Sequence, residues 1–147
     1  MGGLEASIVN FFSPKDRIIS FIYGEFGERW AELDRRFQTV VSQVKFPLGK
    51  AIDLPIVKKT LDKYQKIAGV LVILNETATG VLNPVSQIAK IVKNHKSQPL
   101  FLIDGISALG AVDLPMDKLG IDVLVTASQK AWMVPPGLDI IAVSSKA

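Results

Sequence analysis

The stretch "AGVLVILN", residues 68–75, decides the fold. A strand with one wetted face alternates apolar and polar side chains. This run is apolar at nearly every position, so both of its faces must be buried. That is the environment of a central strand in a parallel sheet, with helices over either side. Outward from it, comparable runs recur at "PLFLID" (99–104), "IDVLVTA" (121–127) and "LDIIAVS" (138–144), and before it at "RIISFIY" (17–23) and "TVVSQV" (39–44). Between them the apolar spacing becomes helical. Leu4, Ile8, Phe11 and Phe12 form one such set, and Phe26, Trp30, Leu33 and Phe37 a second. Leu54, Val57, Leu61 and Tyr64 form the third, and Val85, Ile88, Ala89 and Val92 the fourth. Asp53 ahead of Pro55, and Asn83 ahead of Pro84, predict helix N-caps. The expected fold class is α/β, a three-layer α/β/α arrangement with a mostly parallel central sheet of six strands. No repeat, low-complexity segment or internal boundary interrupts residues 1–147.

Composition excludes several functions. Seventeen Lys and Arg against fourteen Asp and Glu leave a net charge of +3, with no dense basic stripe interleaved with aromatics, so nucleic acid is not an expected partner. The absence of cysteine removes any disulfide framework and any thiolate site for zinc, iron–sulfur or nickel, and fits a cytoplasmic location. No apolar run approaches the ~20 residues of a membrane span, and no secretory signal opens the chain. "GEFGER" (24–29) lacks the spacing of a dinucleotide turn, and no phosphate-binding P-loop is present. The single histidine, His95, lies in "KNHK" and reads as a solvated helix end, which leaves neither a metal site nor a Ser-His-Asp triad.

In open α/β sheets, ligands bind outside the carboxyl ends of the strands. Three such ends carry unusual residues: "NETATG" (75–80), Asp104 in "FLIDGISALG", and Lys130 in "TASQKAWMVPPG" (126–137). Alone, Asp104 reads as well as a turn former, Lys130 as a solvated strand end, and Phe26 as core. An acid and an amine on strands of one sheet make a more specific pair.

Taken in series, "NETATGVLNP" and "LIDGISALGAVDLPMDKLGIDVLVTASQKAWMVPPGL" are similar in order and spacing to class V pyridoxal-phosphate aminotransferases, in the alanine–glyoxylate and serine–pyruvate branch. "GGLEASIVNFFSPKDRIISFIYGEFGERW" resembles the segment that precedes them, so the likeness covers essentially the whole chain. It implies the cofactor pyridoxal 5'-phosphate, a small amino acid and an oxo acid as substrates, and a homodimeric full-length protein. Lys130 would carry the cofactor aldehyde as a Schiff base, which requires a neutral amine of the kind a secluded pocket favours. Asp104 would face the pyridine nitrogen and favour its protonated form. The resemblance also implies that Phe26 stacks on one ring face, Ile106 presses on the other, Thr77 reaches the ring's phenolic oxygen and Gln129 lies near the phosphate.

The chain departs from the family pattern at both ends. The Ser-Gly-Thr/His phosphate loop is represented only by the helix start at Gly2 and Gly3, whose free N–H groups would attract phosphate. The small C-terminal domain, with the arginine that relatives use for the substrate carboxylate, has no counterpart. Arg29 reads as a solvated helix residue rather than its replacement. The expectation is therefore a partial large domain, with a catalytically incompetent fragment or split-protein piece, acting only as a structural or interaction module, as the alternative. Cysteine desulfuration, the chemistry of a neighbouring branch, is disfavoured by Gln129 and Phe26, because that branch places histidines there.

Overall fold

The computed structural model describes residues 1–147. In chain order the elements are α1 (Gly2–Val9), β1 (Arg17–Ile22), α2 (Glu25–Arg36), β2 (Val40–Lys45), α3 (Leu54–Leu61), β3 (Gly69–Ile73), β4 (Asn75–Glu76), β5 (Val81–Leu82), α4 (Val85–Lys93), β6 (Leu100–Asp104), α5 (Met116–Leu119), β7 (Val123–Ala127) and β8 (Asp139–Val143). Six strands form one sheet in the order β2-β1-β3-β6-β7-β8. The pairs from β2 to β7 are parallel, and β8 runs antiparallel to β7. The expected α/β layering is thus observed, with "AGVLVILN" supplying β3 near the middle of the sheet.

The double-sided burial predicted from that stretch is complete, since every residue of β3 and of β7 is buried. One core of 29 buried residues joins the sheet to the helices, with Phe21, Tyr23, Trp30 and Phe101 among its largest members. Close approaches at Gly3, Gly24 and Gly69 need glycine. A Cβ on Gly69 would lie 2.3 Å from the Phe12 ring, and one on Gly3 would lie 2.9 Å from Cβ of Asp139. The second lets α1 settle against the β7–β8 edge.

Helix termini follow local rules with two exceptions. The Asp53 carboxylate accepts the Ile56 N–H at 3.3 Å, as expected of an N-cap. α2 carries Glu25 and Glu28 in its first turn and Arg35 and Arg36 in its last, complementing the helix dipole. Asn83 does not cap α4, however. Its amide donates to the Ile73 carbonyl at 2.9 Å and its side-chain oxygen accepts the Ile52 N–H at 2.9 Å, so it ties β3 to the loop before α3. His95 is not solvated either. It is buried, with Nδ1 accepting the Ser97 N–H at 3.2 Å and Nε2 3.2 and 3.1 Å from the carbonyls of Leu61 and Tyr64. Both corrections share a cause: a buried polar side chain must find partners, and here most of them come from other segments of the chain.

Candidate active site

The carboxyl ends of β1, β3, β6 and β7 open on a cleft of about 280 Å³. Phe26, Thr77, Asp104, Ile106, Gln129 and Lys130 all line it. Phe26 comes from the first turn of α2, Thr77 from the turn between β4 and β5, and Asp104 from the last position of β6, with Ile106 in the loop beyond. Gln129 and Lys130 come from the turn after β7. Adjacent parallel strands therefore deliver the acid and the amine to the same space.

Asp104 is 4% exposed, and its Oδ1 accepts the Ile106 N–H at 2.8 Å. Its other oxygen accepts no hydrogen bond from the protein. Burial raises the carboxyl from its ordinary 3.8 to about 6, the nearby Glu76 charge adds to the rise, and the Ile106 N–H opposes it. Beneath it lies a second buried acid. Glu76 is fully buried against Gly24, with Oε1 accepting the Ala78 N–H at 3.2 Å and Oε2 without a partner. The Tyr23 hydroxyl donates to the Ile73 carbonyl, and burial, then the charges of Glu76 and Asp104, push its pKa well above the usual phenol range. Two buried acids, Asp104 and Glu76, therefore stand close together at this side of the cleft.

The rim differs. Lys130 and Gln129 are exposed, in contrast to the secluded amine expected from the sequence. Ser128, which is buried, shapes their turn: its Oγ donates to the Pro135 carbonyl at 2.7 Å, and its N–H donates to the Leu138 carbonyl at 3.0 Å. Across the cleft, Ser107 Oγ donates to the Asn75 carbonyl at 2.8 Å and accepts from its side-chain amide at 3.0 Å, fastening the loops after β3 and β6 together. Arg29 is exposed, as predicted, but it also lines the cleft. Its guanidinium stands 5.4 Å above the Phe26 ring and pairs with Glu25 at 2.8 Å.

Gly2 and Gly3 start α1 at the cleft's other end, and there the structure adds a residue that the sequence reading missed. The Gly3 N–H, expected to be free, donates to Asp139 Oδ2 at 2.7 Å. Asp139 lines the cleft because β8 is antiparallel: it stands opposite Ala127, so the beginning of β8 meets the carboxyl end of β7. Only that pairing gives Asp139 its place, and no local motif marks it. Asn75, Ser107 and Glu76 were likewise unassigned, although Asn75 and Glu76 fall within the "NETATG" segment singled out above.

The end of the cleft lined by Asp104, Phe26 and Ile106 has the groups that a pyridoxal nucleus would need. A buried acid with one oxygen free for a ligand donor forms the floor, and an aromatic and a branched aliphatic line the walls. Where α1 starts, the Gly3 N–H is already taken by Asp139.

The "Soluble hydrogenase 42 kDa subunit" of Anabaena cylindrica is 40% identical over 148 residues, a match covering 99% of this chain and 38% of that protein. The serine–glyoxylate aminotransferase of Arabidopsis thaliana is 37% identical over 148 residues, covering 99% of this chain and 37% of that protein. Among solved structures, the alanine–glyoxylate aminotransferase of Nostoc sp. superposes with a TM-score of 0.92 at 26% identity, covering 99% of this chain and 38% of that one. The chain thus spans well under half the length of the relatives it matches. The family model described as "Aminotransferase class-V" matches residues 4–147, nearly the whole chain, and the chain belongs to that aminotransferase family.

Proposed function

We propose that this chain supplies the cofactor-binding core of a pyridoxal-phosphate-dependent transaminase acting between a small amino acid and an oxo acid such as glyoxylate or pyruvate. The observation that carries the proposal is the convergence of Asp104 and Lys130, from neighbouring strands, on one cleft. When bound, the pyridoxal ring supplies an electron sink for a substrate carbanion. Asp104 would hold a proton on the ring nitrogen, and its burial makes that contact worth more than it would be in water. Phe26 and Ile106 would fix the plane of the ring between them, and the Thr77 hydroxyl would orient it in that plane. Gln129 would approach the cofactor's phosphate. Lys130 would hold the cofactor by its aldehyde and, once displaced by substrate, take the proton from the substrate carbon and return it. Completion of each site by a second copy of the full-length protein belongs to the same proposal.

The test is covalent trapping. Incubation with pyridoxal phosphate followed by borohydride should leave a reduced adduct on the peptide containing Lys130, and K130A should lose it. Equal labelling of K130A would remove Lys130 from the site.

A further inference from the structure

Glu76 has no part in the proposed chemistry, although it stands beside the acid that defines the cleft. It is fully buried, Oε1 accepts the Ala78 N–H at 3.2 Å, and Oε2 has no partner. It does not itself line the cleft. The sheet sets its place. Ile73 stands opposite Asp104 in the parallel β3–β6 pair, and the Leu74 N–H donates to the Asp104 carbonyl at 2.8 Å. Asn75 is then fastened to Ser107 at 3.0 Å, so the chain stays abreast of the Asp104 loop up to Glu76. On its other side Gly24 makes room, since a Cβ there would overlap the Glu76 carboxylate.

A buried carboxylate oxygen without a donor is costly, and a second acid beside it adds to the cost. Asp104 also keeps an oxygen that accepts nothing from the protein. Tyr23 is the third titratable group here, and its hydroxyl is spent on the Ile73 carbonyl. No lysine or arginine is buried in the chain, and the buried His95 sits against the carbonyls of Leu61 and Tyr64. The charge of Glu76 favours a proton at Asp104, and the Met1 ammonium opposes it least of the influences there. This corner lacks a positive group, and the cleft is where one can enter.

We propose that Glu76 is a specificity-determining residue whose charge, standing behind Asp104, makes the cleft select a ring with a protonated nitrogen over a neutral ring of similar outline. A ring N–H donating to the free Asp104 oxygen brings positive charge to both acids, whereas a neutral ring leaves both uncompensated. The inference rests on the reading that the cleft binds a pyridoxal ring.

The experiment measures occupancy of Lys130 at pH 7.5 by pyridoxal and by salicylaldehyde, which share the aldehyde and its neighbouring hydroxyl but not the ring nitrogen. Borohydride traps the adduct, and the Lys130 peptide is quantified by mass spectrometry against aldehyde concentration. The ratio of the two half-saturating concentrations is the readout, because a general loosening of the site weakens both aldehydes alike. E76Q keeps the side chain's size and an oxygen for the Ala78 N–H but removes the charge, and E76M serves if E76Q folds poorly. The unsubstituted chain should prefer pyridoxal. In the variant the pyridoxal value should rise at least about fivefold while the salicylaldehyde value changes by less than about twofold. An unchanged ratio, or equal weakening of both aldehydes, reduces Glu76 to packing and overturns the proposal while leaving the pyridoxal reading intact. Absence of a Lys130 adduct from either aldehyde in the unsubstituted chain overturns that reading and this proposal with it.

Discussion

Substituting Asp104→Asn preserves the oxygen that accepts the Ile106 N–H at 2.8 Å and removes the negative charge. Folding carries this carboxyl from its ordinary 3.8 to about 6, chiefly through burial. The sign follows directly. Well below pH 3.8 the group is protonated in both folded and unfolded chains and contributes nothing. Between 3.8 and about 6 the folded chain binds more protons than the unfolded one, so this group makes stability fall as pH rises. Above that window the full penalty applies, ~3 kcal/mol at 1.36 kcal/mol per tenfold change in the proton equilibrium. Asp34 is raised in the same direction by its own burial, and it cancels in the difference between the two proteins. D104N should therefore be more stable than the unsubstituted chain by ~1 kcal/mol at pH 4.5 and by ~3 kcal/mol at pH 7.5. Urea unfolding, followed by the fluorescence of buried Trp30, measures both values. An asparagine variant that is no more stable at pH 7.5, or whose advantage fails to grow with pH, refutes the argument that Asp104 is held as a costly, ligand-ready acid.

Two further perturbations probe the support beneath the cleft. Gly24→Ala would place a Cβ 2.3 Å from Cγ of the fully buried Glu76, and it should cost about 3 kcal/mol in urea unfolding. G24A/E76A should recover most of that loss, because the clash disappears with the carboxylate; additive losses would place the strain elsewhere. Asn83→Ala would strand the Ile52 N–H and leave the Ile73 carbonyl with the Tyr23 hydroxyl alone, with an expected loss of about 1–3 kcal/mol. A loss below about 1 kcal/mol in the same assay would show that water or a neighbour replaces the amide.

The inner strands were legible because burial on both faces leaves nearly unbroken apolar runs, and the outer β2 and β8, which have no buried residue, because their runs are rich in β-branched residues. The β4–β5 hairpin and α5 left no such trace. The first has two-residue strands and the second spans four residues, too short for any period to register. Asn83 and His95 were misread for a different reason. Sequence shows each beside a proline or a lysine cluster, which favours a cap or a wetted end, but their partners lie in other segments. At the cleft, Asp104 and Lys130 were identifiable because each follows an apolar run whose direction a parallel sheet fixes. Asp139 was hidden by the one strand that reverses direction. It begins "DIIAV", and a reading that looks for ligands only at strand ends passes over a residue at a strand start.

β8 is an outer strand, paired in the sheet with β7 alone and with no residue of it fully buried. Sheet margins of this kind open locally at lower free energy than the interior. Each such fraying event would lift Asp139 from α1 and leave the Gly3 amide momentarily vacant. The seating of α1 on the sheet at this corner is then tied to the tightness with which one peripheral ribbon clings to its neighbour.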